Sequence, residues 1–300
     1  MIFVLACFSH FISMAQETAV LQWANHVGGT QGDVFRDIAR DPSGNIITIG
    51  KFNQTADFDP GSGTFNITAP NGGGYTMKMD VNGNLLWARS FQGEAGMGSV
   101  DMNALAIDDD GNTYIAGEFF GTVDFDPGPA VFNMVSAGTD DIFFAKLDAS
   151  GNLVWAKALP SAGAYVHAKQ IAVDADANIY LAGTVLPTTD FDPGPGETLV
   201  NAVSNRLHTF FVKYNTDGEL LWLKTIHYTT GALSQGGPGA DAMTLDADGN
   251  IYIGGGFSGT SDFDPGTGTF NMTAFAGPFY TNDAYIMKLV NNGNFLWGKS

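Results

Sequence analysis

Apolar and polar positions alternate in short runs along this chain, and the runs come in pairs around turn residues. The clearest pair is Leu245-Asp246-Ala247-Asp248-Gly249-Asn250-Ile251-Tyr252, where β-branched and aromatic residues flank an Asp/Gly/Asn turn of hairpin type. Counterparts begin at Asp41, Asp108 and Asp174, and each of the four is followed by a glycine at one offset: Gly50, Gly117, Gly183 and Gly255. A second hairpin reads from Phe144 through Asp148-Ala149-Ser150-Gly151-Asn152 to Trp155, with counterparts ending in Trp87, Trp222 and Trp297. Two hairpins per period predict four strands per unit. A further short run, Val20-Leu21-Gln22-Trp23-Ala24, predicts a leading strand of the same tryptophan type before the first full unit.

The period is carried by two independent markers. All five tryptophans fall in one phase, at Trp23, Trp87, Trp155, Trp222 and Trp297, spaced 64, 68, 67 and 75 residues apart. The pentapeptide Asp-Phe-Asp-Pro-Gly begins at Asp57, Asp124, Asp190 and Asp262, always two residues after a threonine. Periods of this size belong to solenoids, propellers or arrays, and four-stranded units at fixed spacing fit the blades of a β-propeller. The expected fold is therefore an all-β β-propeller with blades at about 24–87, 88–155, 156–222 and 223–297. Five copies of the tryptophan strand against four of the others predict an incomplete ring. A parallel β-helix is the rival, but its repeats are shorter and lack two hairpins per period. Each unit exceeds a WD-type blade of about 40–45 residues by about 20. The excess lies between the second and third strands and holds Asp-Phe-Asp-Pro-Gly, so the inserts are expected as loops on one face of the ring, where propellers bind.

Composition narrows the function. The 39 glycines and 12 prolines are spread along the chain, as frequent turns require, and 44% hydrophobic content is enough for a core. A net charge of −18 repels phosphate backbones and anionic headgroups, which argues against nucleic acid as a partner. Residues 1–15 carry no charge, are dominated by Ile, Phe, Val and Leu, and end in Ser13-Met14-Ala15. This reads as a signal peptide, too short to span a bilayer, with residues 16–300 as the exported domain. Cys7, the one cysteine, lies inside that segment, so the mature domain is expected to have neither disulfide nor redox chemistry.

The phase Asp-x-x-Gly-Asn-x-Tyr-x-x-Gly, seen at Asp108 to Gly117 and Asp246 to Gly255, is followed by Gly-Thr-x-Asp-Phe-Asp-Pro-Gly and resembles the SBBP family of β-propeller repeats. The resemblance covers residues 20–300. It implies an exported or surface-displayed bacterial protein, of the kind found in the Bacteroidetes, and supplies no ligand or catalytic residues. Leu147 to Trp155 also resembles the tryptophan-docking repeat of quinoprotein propellers, which implies either a pyrroloquinoline quinone enzyme or an assembly scaffold. The long period and the Asp-Phe-Asp-Pro-Gly insert weigh toward the scaffold.

Candidate chemistry is confined to carboxylates. In Asp57-Phe58-Asp59-Pro60-Gly61 and its copies, an extended backbone puts both acids on one face and the phenylalanine on the other. The phenylalanine is expected to anchor the loop and the acids to cap a turn. The rival is a calcium site at Asp57, Asp59, Asp124, Asp126, Asp190, Asp192, Asp262 and Asp264, because hard cations take carboxylate oxygens. Lys78, Lys146, Lys213 and Lys288 share one position of the third strand, and Arg89, Lys157, Lys224 and Lys299 each follow a tryptophan by two residues. Repetition of this kind predicts structural ion pairs rather than a ligand patch. His26, His167, His208 and His227 share no phase and read as incidental. No nucleophile elbow, P-loop, dinucleotide fingerprint or zinc motif is present. The expectation is a secreted or surface-displayed, non-catalytic scaffold or binding module with an extracellular glycan or protein partner and no transmembrane segment. The alternative is a propeller enzyme acting on polysaccharide or a quinone-dependent dehydrogenase.

Overall fold

The computed structural model describes residues 21–162, 166–185, 188–200, 208–230, 238–275 and 282–300; the expected signal peptide and Cys7 lie outside them. The described residues form an all-β chain of antiparallel sheets in a repeating, propeller-like arrangement, with no helix and hence none long and apolar enough to cross a membrane. Four units of four strands follow the sequence period. Unit 1 comprises Val34–Arg40, Ile46–Asp57, Asn66–Met79 and the start of Leu85–Ile107, whose far end is the first strand of unit 2. Unit 2 continues with Thr113–Asp124, Asp141–Leu147 and Leu153–Leu159. Unit 3 comprises His167–Val173, Ile179–Val185, His208–Tyr214 and Leu220–Thr230. Unit 4 comprises Ala242–Leu245, Ile251–Phe257, Asp283–Leu289 and Phe295–Lys299. No strand of unit 4 pairs with unit 1 among the described residues.

The expected boundaries at Trp87, Trp155 and Trp222 fall inside fourth strands, which run on past the indole. The leading strand is also corrected. Residues 21–27 are irregular, and pairing begins only at Gly28–Gly29, because among the described residues no strand lies beside residues 21–24 to hydrogen-bond them.

Both hairpins of each unit use one backbone turn, capped by an aspartate or asparagine side chain everywhere except at Val290 in unit 4. In the first, the Asp41 side chain accepts the Asn45 backbone N–H at 2.8 Å while Gly44 takes φ 89°, a conformation open to glycine without penalty. The Asn45 amide then donates to the second oxygen of Asp41 at 2.9 Å. The same turn recurs at Asp108, Asp174 and Asp246, with Ala177 carrying the left-handed backbone (φ 58°) in unit 3.

The glycine that follows each first hairpin has a different reason. The first strand bulges at Arg36, Asn103 and Lys169, and the bulge drives a carbonyl toward the neighbouring strand. A Cβ at Gly50, Gly117, Gly183 or Gly255 would stand 2.1, 2.0, 1.9 or 1.8 Å from the carbonyl oxygen of Val34, Asp101, His167 or Gly239. Only glycine fits there.

The core lies between units. Ile47, Ile49 and Phe91 of unit 1 pack against Phe119, Phe125 and Phe143 of unit 2, and the equivalent faces meet between units 2 and 3 and between units 3 and 4. Each sheet is thus apolar on both faces, as consecutive as well as alternate apolar positions require.

Candidate functional site

The repeated polar residues meet at the junctions between units. Each third-strand lysine reaches the turn aspartate of its own unit: Lys78 to Asp41 at 2.8 Å, Lys146 to Asp108 at 3.8 Å, Lys213 to Asp174 at 3.1 Å and Lys288 to Asp246 at 3.0 Å. In units 2 to 4 the ammonium also lies 4.6–4.9 Å from the ring centre of Tyr114, Tyr180 or Tyr252. Unit 1 has Ile47 at that position, and Lys78 instead donates to the Ala149 carbonyl of unit 2. The Asn250 side chain, followed by Lys288, holds the Asp246 carboxyl well below the usual carboxylate range. Burial, then Asp108, pushes the Tyr114 hydroxyl up. These four lysines form the ion pairs that their repetition predicts, whereas Arg89, Lys157, Lys224 and Lys299 form none among the described residues, and Arg89 donates to backbone carbonyls instead.

Trp87 and Trp222 stitch consecutive units, and Trp23 ties the leading segment to unit 1 in the same way. Trp23 donates its indole N–H to Val81 at 3.0 Å and Trp87 donates to Ala149 at 3.3 Å. The indoles of Trp23, Trp87 and Trp222 lie flat enough on the next turn that a Cβ at Gly83, Gly151 or Gly293 would come within 3.1–3.2 Å of the ring. Arg89 lies 5.7 Å over Trp87 and donates to the carbonyls of Gly151 and Ser150, which extends the same contact.

The Asp-Phe-Asp-Pro-Gly inserts are not free loops. Asp57 Oδ1 accepts the backbone N–H groups of Asp59 (3.0 Å) and Phe65 (2.8 Å), and Asp59 Oδ1 accepts that of Gly61 (2.8 Å). The pattern is the same at Asp124 and Asp126, at Asp190 and Asp192, and at Asp262 and Asp264. The bonds from Phe65 and Asp59 hold the Asp57 carboxyl below its ordinary range. Phe58, Phe125, Phe191 and Phe263 are fully buried and anchor the inserts. Phe125 sits 4.8 Å from Phe143 and 5.3 Å from Phe91 of unit 1. The eight aspartates are thus brought together in pairs, one pair per insert. Among the described residues no group of three or more His, Cys, Asp or Glu is arranged to hold a metal.

Each insert also pairs with the unit before it, and this corrects the expectation of loops standing on one face. Gln92 pairs with Asp124, Ser161 with Thr189 and His227 with Asp262, as Gly28 of the leading segment pairs with Asp57. Beside exposed polar residues such as Ser62, Thr64 and Asn66, the inserts leave three aromatic rings in solvent: Phe65, Phe132 and Phe270 occupy one position in units 1, 2 and 4 and remain 38–42% exposed.

One acidic residue breaks the repeat. Glu118 stands where the other units have Lys51, Thr184 and Gly256, and it is nearly buried. Its carboxylate accepts the Ala168 N–H of unit 3 and the Asn103 side-chain amide, both at 2.7 Å, and lies 3.7 Å from His167 Nδ1. Glu118 raises the His167 pKa against the opposing effect of burial. Sequence reasoning passed over Glu118 and read His167 as incidental. The available signal was the one acid at a position otherwise held by lysine, threonine and glycine. With both oxygens engaged, Glu118 fastens the bulge of unit 2 to unit 3.

No protein-family model matches the chain. It is similar to an uncharacterized WD repeat-containing protein of Acanthamoeba polyphaga mimivirus, 30% identical over 157 residues, which is 49% of this chain and 11% of that protein. The chain therefore spans about a tenth of that relative's length. Among solved structures it is similar to a protein of unknown function from Bacteroides caccae, at 12% identity and a TM-score of 0.33, over 89% of this chain and 82% of that one.

Proposed function

We propose that this chain is a β-propeller module of the SBBP type, exported and displayed outside the cell, that serves as a non-catalytic scaffold and binds an extracellular glycan through its inserts. The observation that carries this reading is the set Phe65, Phe132 and Phe270. Three aromatic rings recur at one insert position, stay part exposed, and are held by hairpins fastened to their own unit and to the preceding unit or, for Phe65, the leading segment. Rings fixed in this way offer flat apolar faces to sugar rings without an ordering cost. The polar residues that repeat are engaged in turns, ion pairs and unit junctions, which supports a scaffold over an enzyme. The partial likeness to a WD repeat-containing protein supports a β-repeat module of this general kind. The apolar, uncharged residues 1–15 support export.

The test is a glycan array probed with the full chain and with the Phe65→Ala, Phe132→Ala, Phe270→Ala triple variant, followed by assay of the array for released reducing ends. Binding that the triple variant loses, with the glycans recovered intact, is the expected result. Release of reducing ends overturns the non-catalytic reading, and binding unchanged in the triple variant overturns the insert as the binding surface.

A further inference from the structure

The apolar parts of the junctions between units are alike. Phe119 and Phe125 of unit 2 meet at 5.4 Å and Phe257 and Phe263 of unit 4 at 5.2 Å, on the faces that receive the preceding units. The indole of Trp87 rests on the Gly151 turn as that of Trp222 rests on the Gly293 turn. Contacts of this kind hold neighbours together without distinguishing the correct neighbour from another unit. Misassembly among similar units is a characteristic failure of repeat proteins.

The charges at the bulge end of each junction do differ. Arg36 and Lys51 of unit 1 both reach Asp101 of unit 2, at 3.1 and 3.5 Å. The same two positions in unit 2 hold Asn103 and Glu118, and the position of Asp101 is held in unit 3 by His167, 3.7 Å from Glu118. The contact is repeated with its sign reversed. Between units 3 and 4 the sign returns, with Lys169 at the Arg36 position and Asp241 as its partner at 2.9 Å. Cations of units 1 and 3 thus face acids of units 2 and 4, while the acid of unit 2 faces the histidine of unit 3.

An out-of-order contact would bring like charges together. Unit 1 seated on unit 3 would set Arg36 and Lys51 against His167 and Lys169. It would also leave the buried Ala168 N–H facing an ammonium in place of the Glu118 carboxylate that it meets at 2.7 Å. Unit 2 seated on unit 4 would set the nearly buried Glu118 against Asp241, with Gly239 where the histidine stands in unit 3. Repulsion against wrong partners gives similar interfaces their specificity, and a charge held away from water enforces it more strongly than one in solvent.

We propose that these charges are an ordering device, which penalises the docking of unit 1 on unit 3 and of unit 2 on unit 4 and so keeps the folding chain from skipping a unit. Glu118 is its centre, since the acid that breaks the repeat makes unit 2 differ in sign from both of its neighbours. The ion pairs of Arg36, Lys51 and Lys169 are part exposed and add little to stability, whereas their sign decides between neighbours.

The test uses the full chain on a Cys7→Ala background with Arg89→Cys and Asp217→Cys as the parent. Arg89 donates to Ser150 on the unit 2 turn, and Asp217 is the matching residue of the unit 3 turn, on which Lys157 of unit 2 lies. A short bis-maleimide added during refolding from urea at high dilution therefore joins the two introduced thiols within one chain when unit 1 seats on unit 3. Arg36→Asn with Lys51→Glu gives unit 1 the charges of unit 2, and His167→Asp gives unit 3 the acid of unit 2. Each set should raise the cross-linked fraction of monomeric product at least about fivefold over the parent. The two sets combined should return it to the parent level, because acid then faces acid. The fraction is read on all monomeric product, so a variant that misfolds still reports. The proposal is overturned if either set leaves the fraction at the parent level. It is equally overturned if the combination raises the fraction as much as either set alone, the result expected of junctions that are merely loosened.

Discussion

Replacing Asp124 tests what the repeated acidic inserts are for. Alanine removes the acceptor from two backbone N–H groups, those of Asp126 at 3.0 Å and Phe132 at 2.8 Å. A hydrogen bond to a charged group nets about 1.5–3 kcal/mol, and the lower part of that range applies because the Phe132 bond is exposed and water can take its place. The pair is then worth about 2–3 kcal/mol. Asparagine keeps a side-chain carbonyl oxygen in the same position and should cost about 1 kcal/mol or less. For a chain of this size each kcal/mol moves the melting midpoint by about 2–4 °C, so Asp124→Ala should lower Tm by about 4–12 °C and Asp124→Asn by at most about half as much. The assay is thermal unfolding of wild type and both variants in excess EDTA and in millimolar calcium at constant ionic strength. Turn capping gives unequal losses for the two variants, the same with and without calcium. A calcium site gives equal losses, because both substitutions remove the charge the ion needs, and gives them only in calcium, where saturation at 100 times Kd is worth about 2.7 kcal/mol. The second pattern would refute the reasoning.

Lys213→Met should destabilise by about 3 kcal/mol in urea unfolding, since it leaves the Asp174 carboxylate buried without its cation. Ala177→Gly should stabilise by about 1 kcal/mol in the same assay, because alanine at φ 58° pays for a left-handed backbone that glycine adopts freely. Gly117→Ala should cost at least about 2 kcal/mol, because its Cβ would stand 2.0 Å from the Asp101 carbonyl oxygen, and a melting midpoint unchanged from wild type would show that the bulge yields. His167 should titrate above the ordinary histidine range by NMR, and Glu118→Gln should bring it back down. Its folded pKa is raised, so the stability it contributes is present below about pH 6.5 and is lost as pH rises through the folded value.

The repeat, the two hairpins per unit and the lysine–aspartate pairs were legible in the sequence because each depends on residues of one unit and on local turn chemistry. Asp41 to Asn45 names its turn, and a lysine recurring four times in phase with four turn aspartates points to its own partner. The buried phenylalanine of the insert was legible for the same reason, as a period-2 consequence of Asp-Phe-Asp. The pairing of each insert with the preceding unit was not, because backbone hydrogen bonds between units leave no side-chain signature. The recurring spacing of Gly50, Gly117, Gly183 and Gly255 was visible without its cause, since the path of the partner strand decides what a Cβ would strike. Glu118 was hidden by the habit of reading what repeats, for its role rests on being the exception. The leading segment misled because an apolar run centred on Trp23 carries strand propensity, while a strand needs a neighbour to bond.

The long strand Leu85–Ile107 closes one unit and opens the next without a loop, and the indole of one unit rests on a turn of the following one. A gene built this way can grow or shrink by recombination between its copies at any point in the period. Whatever the crossover point, the spliced product restores one fourth strand, one docking turn and one insert per unit, so no junction is left half made. Lengths that are whole multiples of the period are therefore the ones such a lineage can sample without passing through unfolded intermediates. A chain with unit 3 duplicated in frame should melt at or above the midpoint of the original, whereas one carrying half a unit should not.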